Sequence, residues 1–502
     1  MENLTQKIVI VGGGTAGWMT AAALTTALRD KYHIQLIESD EIGIVGVGEA
    51  TIPMIKLFNK TVGIDENDFL KETQGTFKLG IEFVNWGKLG DRYLHGFGGI
   101  GKDLGAAKFE HYWHKMRSLG KAGGLNEYSV VHMAAKANKF MPPVSDVPNS
   151  PLAEINYAYH FDATLYAKYL SKICQQRGVV RKEGRIVHVS QREADGYIDA
   201  VVLADGTRIE GDLFVDCTGF PGLLIEETLK TGYEDWSHWL PCDRAWAVPC
   251  EPSATLLPHT RSTAHRAGWQ WRIPLQNRIG NGHVYCSREI SDDEAAATLL
   301  ANLDGKPLAE PRMIKFVTGM RKKAWNKNVI AIGLSGGFIE PLESTSIHLI
   351  QTAVAQLVEF FPGKEFIPTE VEEYNRLSRF HFETIRNFII LHYHLNQRTD
   401  SKFWIDCANM SVPDMLTHKM DLFRARGRTT RFDGELFSEI GWLQILLGQN
   451  LVPQSYNPLV DMVSEEGIAE YMDGIRSVIA NCIDVMPDHA QYIANHCAAV
   501  NR

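Results

Sequence analysis

Lys7-Ile8-Val9-Ile10-Val11-Gly12-Gly13-Gly14-Thr15-Ala16-Gly17 is the stretch whose reading decides the fold. Its first five residues are a short apolar run, rich in β-branched side chains, and predict a buried parallel strand. Glycines follow at once. Trp18 to Leu28 is then rich in Ala and Leu and reads as a helix. His33 to Ile37 reads as a second strand, with Glu38 at its end. Strand, glycine turn, helix and strand make a βαβ unit of the dinucleotide-binding kind.

Each glycine of the turn has its own physical task. Gly12 permits the tight turn, Gly14 lets backbone approach a pyrophosphate, and Gly17 allows close packing of helix on strand. Thr15 and Ala16 lead into the helix, whose free N–H groups and positive dipole end face an anion. Glu38 lies 21 residues beyond Gly17, where an acid can hydrogen-bond ribose hydroxyls. A turn that merely needs glycine is the competing reading, and the strand, helix and acid together weigh against it. The fingerprint by itself admits either NAD or FAD.

The totals bound what surrounds this unit. A chain of 502 residues is too long for one compact core. With 45% hydrophobic and 22% charged residues, the composition is that of a globular protein. A net charge of -9 argues against a nucleic-acid partner, because no basic excess is available for phosphates. The basic run Arg424 to Arg431 reads as a solvated loop. Eight scattered cysteines form no CxxC pair and fit no zinc spacing, so no metal is expected. They read as reduced, buried small hydrophobes of a cytoplasmic protein. Met1-Glu2 and the short apolar run after them do not resemble a signal peptide. No run of about 20 apolar residues predicts a membrane span.

Further along, His95 to Gly101 (HGFGGIG) cannot be regular helix and reads as an irregular loop near a site. Residues 161–177 read as helix. Asp195-Gly196 and Asp205-Gly206, flanked by β-prone residues, are two hairpin signals. Phe214 to Thr218 and Val329 to Ile332 are short strands. Residues 236–290 alternate polar residues with Trp, Val and Tyr and predict an antiparallel sheet. Helix dominates from Ser346 to the end. Two segments favour FAD over NAD. Asp212 to Gly219 (DLFVDCTG) resembles the strand that flavoproteins set beside the adenine half. Asn328 to Gly337 (NVIAIGLSGG) resembles their strand toward the ribityl chain, with Leu334 where many relatives carry Asp.

Four further motifs resemble those of the flavin-dependent tryptophan halogenase family. Gly268-Trp269-Gln270-Trp271-Arg272-Ile273-Pro274 is similar to its WxWxIP signature. Gly46-Val47-Gly48-Glu49-Ala50-Thr51-Ile52-Pro53 is similar to its flavin strap. Phe77-Lys78-Leu79-Gly80-Ile81 is similar to the segment with its essential lysine, and Pro341-Leu342-Glu343-Ser344-Thr345 to that with its active-site glutamate. The matches run from residue 8 to about 404.

The resemblance implies an α/β chain with a Rossmann-type FAD-binding fold of the single-component flavin monooxygenase type. It implies an FAD-binding body over residues 1–350, with an interleaved antiparallel sheet on the substrate side, and a helical substrate-side part over 351–502. It also implies catalytic roles for Lys78 and Glu343. Reduced flavin, oxygen and chloride or bromide would yield hypohalous acid, which a buried Lys78 holds or captures. Glu343 would polarise the oxidant or take the proton lost from the ring. Outside this setting, Lys78 reads as a snorkelling surface residue and Glu343 as a helix N-terminal acid.

FAD would be held by Gly12, Gly14, Thr15, Ala16, Gly17, Glu38, Gly48, Glu49, Ala50, Leu334 and Gly337. Backbone amides of Thr345 and Ser346 would hold the halide. Ser346 stands where the tryptophan halogenases usually have Gly, which predicts a halide pocket of different shape. Trp269 and Trp271 face one side of a strand and would line the passage between flavin and substrate without being catalytic.

His95, Phe97 and Trp442 would border a small aromatic substrate by stacking; the competing reading of His95 is that it only orders its loop. The stretch Phe432 to Trp442 lacks the Tyr-Tyr and Phe-Trp pairs that grip free tryptophan in the specific members. A zwitterion buried without charge partners is penalised by several kcal/mol, so an indole without a free amino-acid group is the expected substrate. There is no second GxGxxG for a nicotinamide, so a separate flavin reductase is expected to supply FADH2. A homodimer is implied by family analogy alone. Two rivals stay open: a flavin-dependent aromatic hydroxylase, and a non-catalytic flavin-binding redox sensor.

Overall fold

A computed structural model describes residues 7–28, 31–41, 48–144, 146, 150–363 and 365–499. Its organising element is a six-stranded sheet in the order Trp325–Asn326, Val329–Ala331, Leu213–Asp216, Lys7–Val11, His33–Glu38 and Val180–Glu183. All neighbours are parallel except the first pair. Because side chains alternate along a strand, the opening strand feeds two cores. Ile8 and Ile10 pack with Trp18, Met19 and Leu24 of the helix Thr15–Leu28. Val9 and Val11 face the other way, toward Val201, Leu203 and Phe214.

Both hairpin signals are realised. The strands Ile186–Gln191, Ile198–Leu203 and Arg208–Glu210 form an antiparallel meander that covers one face of the parallel sheet. The helix expected at 161–177 runs Ala163–Gln176, capped by Asp162, whose carboxylate accepts from the Leu165 amide.

A seven-stranded sheet forms the second layer, and it is wider than the segment 236–290 predicts. Arg312–Lys315, Arg244–Cys250, Ile279–Tyr285, Gly268–Pro274 and Thr260–His265 are antiparallel neighbours. Gly80–Val84 then joins in parallel with Thr260–His265, and Arg92–Gly96 completes the edge. The expected loop at His95 to Gly101 therefore needs correction: His95 and Gly96 end a strand, and the irregular chain begins at Phe97. Pairing with Gly80–Val84 overrides the local glycine signal, since a Cβ on Gly80 would stand 2.4 Å from the His95 carbonyl oxygen.

The C-terminal region is helical as expected, beginning with Ser346–Glu359 and the long helix Pro368–His394. The long helix and the helices Lys402–Asn409 and Glu439–Gly448 share an aromatic core with the seven-stranded sheet, through Trp86, Trp269, Phe388, Tyr393, Trp404 and Trp442, whereas Ser346–Glu359 buries Ile347, Ile350 and Val354 in the core with Trp18. Among the described residues no helix is long and apolar enough to cross a membrane. All eight cysteines are free, and seven are buried.

Candidate active site

The glycine turn has the stereochemistry a dinucleotide cradle needs. Gly12 has φ +111°, and a Cβ there would lie 2.3 Å from the Cys217 carbonyl oxygen. A Cβ on Gly17 would lie 1.9 Å from the Gly12 carbonyl oxygen, which is what close helix–strand packing means. Gly14 differs from both, because nothing stands within 4 Å of its missing Cβ. The turn is thus packed on the protein side and open at Gly14, where a pyrophosphate could approach the backbone. Gly13, which the sequence reading left without a role, lets the Glu38 carboxylate lie against the turn: its Cβ would meet Oε2 at 1.5 Å. Arg181 pairs with that carboxylate.

The segment through Leu334 and Gly337 reaches the same place. A Cβ on Gly333 would stand 2.8 Å from that of Ala16, so this strand end abuts the start of the first helix, Thr15 and Ala16. Leu334 is half-buried. Gly337 has φ +155° and lies against Gly319 and Met320. The strap is described from Gly48 onward; Gly46 and Val47 lie outside the described residues. Gly48–Ala50 pairs antiparallel with Ala158–Asp162. Glu49 keeps some exposure on this strand yet sits in a recess deep enough that burial pushes its carboxyl up to about 7. With the open face at Gly14, these residues fit a bound dinucleotide.

Lys78 ends the strand Thr76–Lys78 and is fully buried. The snorkelling reading is therefore corrected: the strand is sandwiched against Ala158–Asp162, and the ammonium group turns inward. Its Nζ donates to the Thr51 carbonyl at 2.9 Å and to Ser344 Oγ at 2.7 Å. Burial lowers its pKa, the Glu343 charge raises it, and burial wins, leaving about 7. A lysine held there presents both amine and ammonium near neutrality. Phe97 lies beside it, its ring centroid 5.2 Å from Nζ.

Glu343 is not a helix N-terminal acid. It closes the short turn Pro341–Glu343, and Ser344 follows with a left-handed backbone, φ +59°. The helix starts two residues later, at Ser346. The turn carries the Glu343 side chain inward, where Oε2 meets His95 Nδ1 at 2.8 Å and Oε1 stands 2.8 Å from His392 Nε2. Burial would raise the Glu343 carboxyl, but the two histidines outweigh it and hold it down to about 2. Ser346 opens the helix with an ordinary negative φ. Thr345 is fully buried and its Oγ1 has no partner among the described residues. The first-turn N–H groups of a 14-residue helix open beside it.

His95 therefore does more than order a loop. Its ring also faces Phe388 and Phe437, at 5.8 and 6.2 Å between centroids. Phe388 stacks on Phe437 and meets Trp442 edge-on at 4.9 Å. His95 and Trp442 thus join one aromatic cluster, while Phe97 faces Lys78 instead. The helix Glu439–Gly448 docks through Gln444, whose side chain bonds the Gly96 backbone amide and carbonyl. Trp269 is buried and donates from Nε1 to Glu340 Oε2 at 2.6 Å; its ring centroid is 6.1 Å from that of Trp271.

Sequence reasoning missed His392, Glu340, Phe388 and Phe437. A lone His on an apolar helix reads as core, and nothing in its spacing points at Glu343. Ser344 and Thr51 stood inside quoted motifs but drew no role, because their partner is distant in sequence.

With this geometry in hand, the comparisons are direct. Residues 7–465 match the family described as Tryptophan halogenase. Among curated proteins, the chain is 32% identical to a tryptophan 7-halogenase of Lentzea aerocolonigenes, covering 98% of this chain and 99% of that one. It is 33% identical to a 7-chloro-L-tryptophan 6-halogenase of a Kutzneria species, covering 97% and 99%. Among solved structures, a flavin-dependent halogenase from Xanthomonas campestris superposes with a TM-score of 0.96 at 46% identity, over 99% of this chain and all of that one.

Proposed function

The chain belongs to the tryptophan halogenase family, and on that premise we propose that Lys78 and Glu343 carry an FADH2-dependent halogenation of an electron-rich aromatic ring, an indole without a free amino-acid group. The observation that carries this reading is the buried link between the two groups. Lys78 Nζ donates to Oγ of Ser344, the residue next to Glu343, at 2.7 Å. Both groups are buried, and the serine beside the acid receives the hydrogen bond of the lysine.

When bound, FADH2 supplies with oxygen and halide the hypohalous acid that is consumed. Lys78 holds that oxidant: as ammonium it donates to the oxygen, and as amine it can accept the halogen. The ring carbon takes the halogen, and the hydroxyl leaves as water with a proton from Lys78. Glu343 takes the proton that the ring then loses. The helix start at Thr345 and Ser346 offers amides to the halide, supported by the dipole there. His95, Phe97 and Trp442 border the substrate.

The preference for indole over tryptophan rests on Glu435. Its carboxylate is buried and taken up by Lys419 at 2.9 Å, so it is not available to a substrate ammonium. A separate reductase supplies the FADH2. Eight free thiols support a cytoplasmic setting, and a homodimer is carried by family analogy. The hydroxylase and redox-sensor readings have no counterpart among the named relatives above.

The test supplies purified protein with FAD, a reductase system, bromide or chloride, and either indole or tryptophan. A halogen isotope pattern in the indole product, absent with Lys78→Ala that still binds FAD, is the expected result. Hydroxyindole without halogen would overturn the reaction, and faster turnover of tryptophan would overturn the substrate.

A further inference from the structure

Glu343 is clasped from two sides by histidines that belong to different layers. His95 comes from the sheet edge Arg92–Gly96, and His392 from the last turn of the helix Pro368–His394. Each ring places a nitrogen 2.8 Å from a different oxygen of the carboxylate. His392 is fully buried, and its other nitrogen, Nδ1, lies 2.8 Å from the Phe388 carbonyl. A carbonyl can only accept, so Nδ1 carries a hydrogen. A bare Nε2 would then set its lone pair against a carboxylate oxygen. A second proton therefore lies between Nε2 and Oε1. The oxygen is off the ring's N–H axis, which makes this contact an ion pair more than an aligned hydrogen bond and leaves an Oε1 lone pair unclaimed.

Beside His95 stands His132, whose ring burial holds down to about 4, so it stays neutral. Lys78 approaches from the strand Thr76–Lys78, and its charge and that of Glu343 act on each other. Tyr93, on the same strand as His95, has its phenol pushed up by burial and by the Glu343 charge, so it stays neutral. Around His392 the rings of Phe83, Trp86 and Phe388 are apolar, and Gln449 bonds only its backbone carbonyl. A carboxylate in such surroundings takes up a proton unless cations hold it ionised.

We propose that His392 is a positioning residue for halogenation: with His95 it keeps Glu343 ionised in a buried site, so that the carboxylate faces the cationic ring intermediate as a negative charge before it takes the ring proton. The proposal rests on the halogenase reading. Transfer of the halogen to a ring carbon leaves the ring with one positive charge and a carbon bearing both hydrogen and halogen. The C–H electron pair then returns to the ring as the proton passes to Glu343. That cation is so strong an acid that a weak base suffices. The use of the clasp is therefore the charge it maintains, not basicity.

The test uses His392→Phe and His392→Gln in the full chain with FAD bound. Rates are taken as a ratio to the unsubstituted enzyme at each pH. This ratio should fall at least about tenfold between about pH 9 and pH 6, as an unclasped Glu343 protonates, with little change in KM for indole. The Gln variant, which retains a donor without charge, should fall less. In parallel, infrared difference spectra at about pH 6 should show a protonated buried carboxyl in His392→Phe. That band should be absent from the unsubstituted protein and abolished by adding Glu343→Gln. An ionised Glu343 in both variants, or a rate loss uniform across pH, would overturn the proposal. The infrared titration needs no turnover, so a protein that halogenates nothing but shows the band would sink the halogenase reading while leaving the clasp intact.

Discussion

Ser344 accepts a hydrogen bond from Lys78 at 2.7 Å across 266 residues of chain. It does so from a left-handed backbone, φ +59°, which costs a non-glycine residue on the order of 1 kcal/mol. The strained residue lies between the inward-turned Glu343 and the start of the helix Ser346–Glu359. That single turn sets acid, linker and open helix amides within one short segment.

Replacing Lys78 tests both its chemistry and its burial. Lys78→Met should bind FAD but lose halogenation by at least about a hundredfold. The folded pKa, about 7, lies below the ordinary 10.5. Between those values the unfolded chain binds the extra proton, so the folded state gains stability as pH rises through the window. The burial penalty is fully present below about 7, and Met lacks it. The variant's gain in thermal midpoint should therefore be largest near about pH 6 and smallest near about pH 10. A gain that does not change with pH would contradict a buried titrating amine.

The glycine turn separates folding from cofactor affinity. In Gly17→Ala the new Cβ would press on backbone at 1.9 Å, so both the melting temperature and FAD binding should fall. In Gly14→Ala nothing stands within 4 Å, so the melting temperature without FAD should hold while affinity drops. Flavin fluorescence titration beside calorimetry distinguishes them, and unchanged FAD affinity in Gly14→Ala would remove the pyrophosphate from this turn.

Glu340 anchors the tryptophan signature. Its buried Oε2 accepts from Trp269 Nε1 and from the Tyr393 hydroxyl, at 2.6 and 2.5 Å. Glu340→Ala strands both donors and should cost about 1–3 kcal/mol for each, measured by denaturant unfolding. Glu340→Gln keeps an acceptor oxygen and should cost less. Equal losses would mean that the carboxyl does not organise Trp269.

Lys419 and Glu435 form a buried pair whose members need each other. Lys419→Met should destabilise by about 3–5 kcal/mol by leaving a lone buried carboxylate. Adding Glu435→Leu should recover most of that loss, with indole turnover retained. A double variant no more stable than the single would show that the pair carries no mutual dependence.

Much of the fold was legible locally. Lys7–Val11 and the glycines after it are read by rules that act over a few residues: side-chain alternation, the freedom of glycine and the open end of a helix. The Asp-Gly hairpins obey the same short-range logic. His95 shows where that logic stops. Its neighbours Gly96, Gly98 and Gly99 read as loop, but pairing with Gly80–Val84 makes it the end of a strand.

The candidate site divides in the same way. Sequence alone singled out Lys78 and Glu343 as the side chains proposed for the chemistry, because their motifs are contiguous and distinctive. It showed equally that the stretch Phe432 to Trp442 has no Tyr-Tyr and no Phe-Trp pair, on which the proposed absence of an amino-acid clamp rests. Only the tertiary structure decided the state of those groups. It buries Lys78, sets Ser344 between lysine and acid, and brings His95 and His392 to opposite oxygens of Glu343 from a sheet and a helix 297 residues apart in the chain. Desolvation and ion pairing depend on what surrounds a group in space, and no local pattern encodes surroundings drawn from such separate parts of the chain.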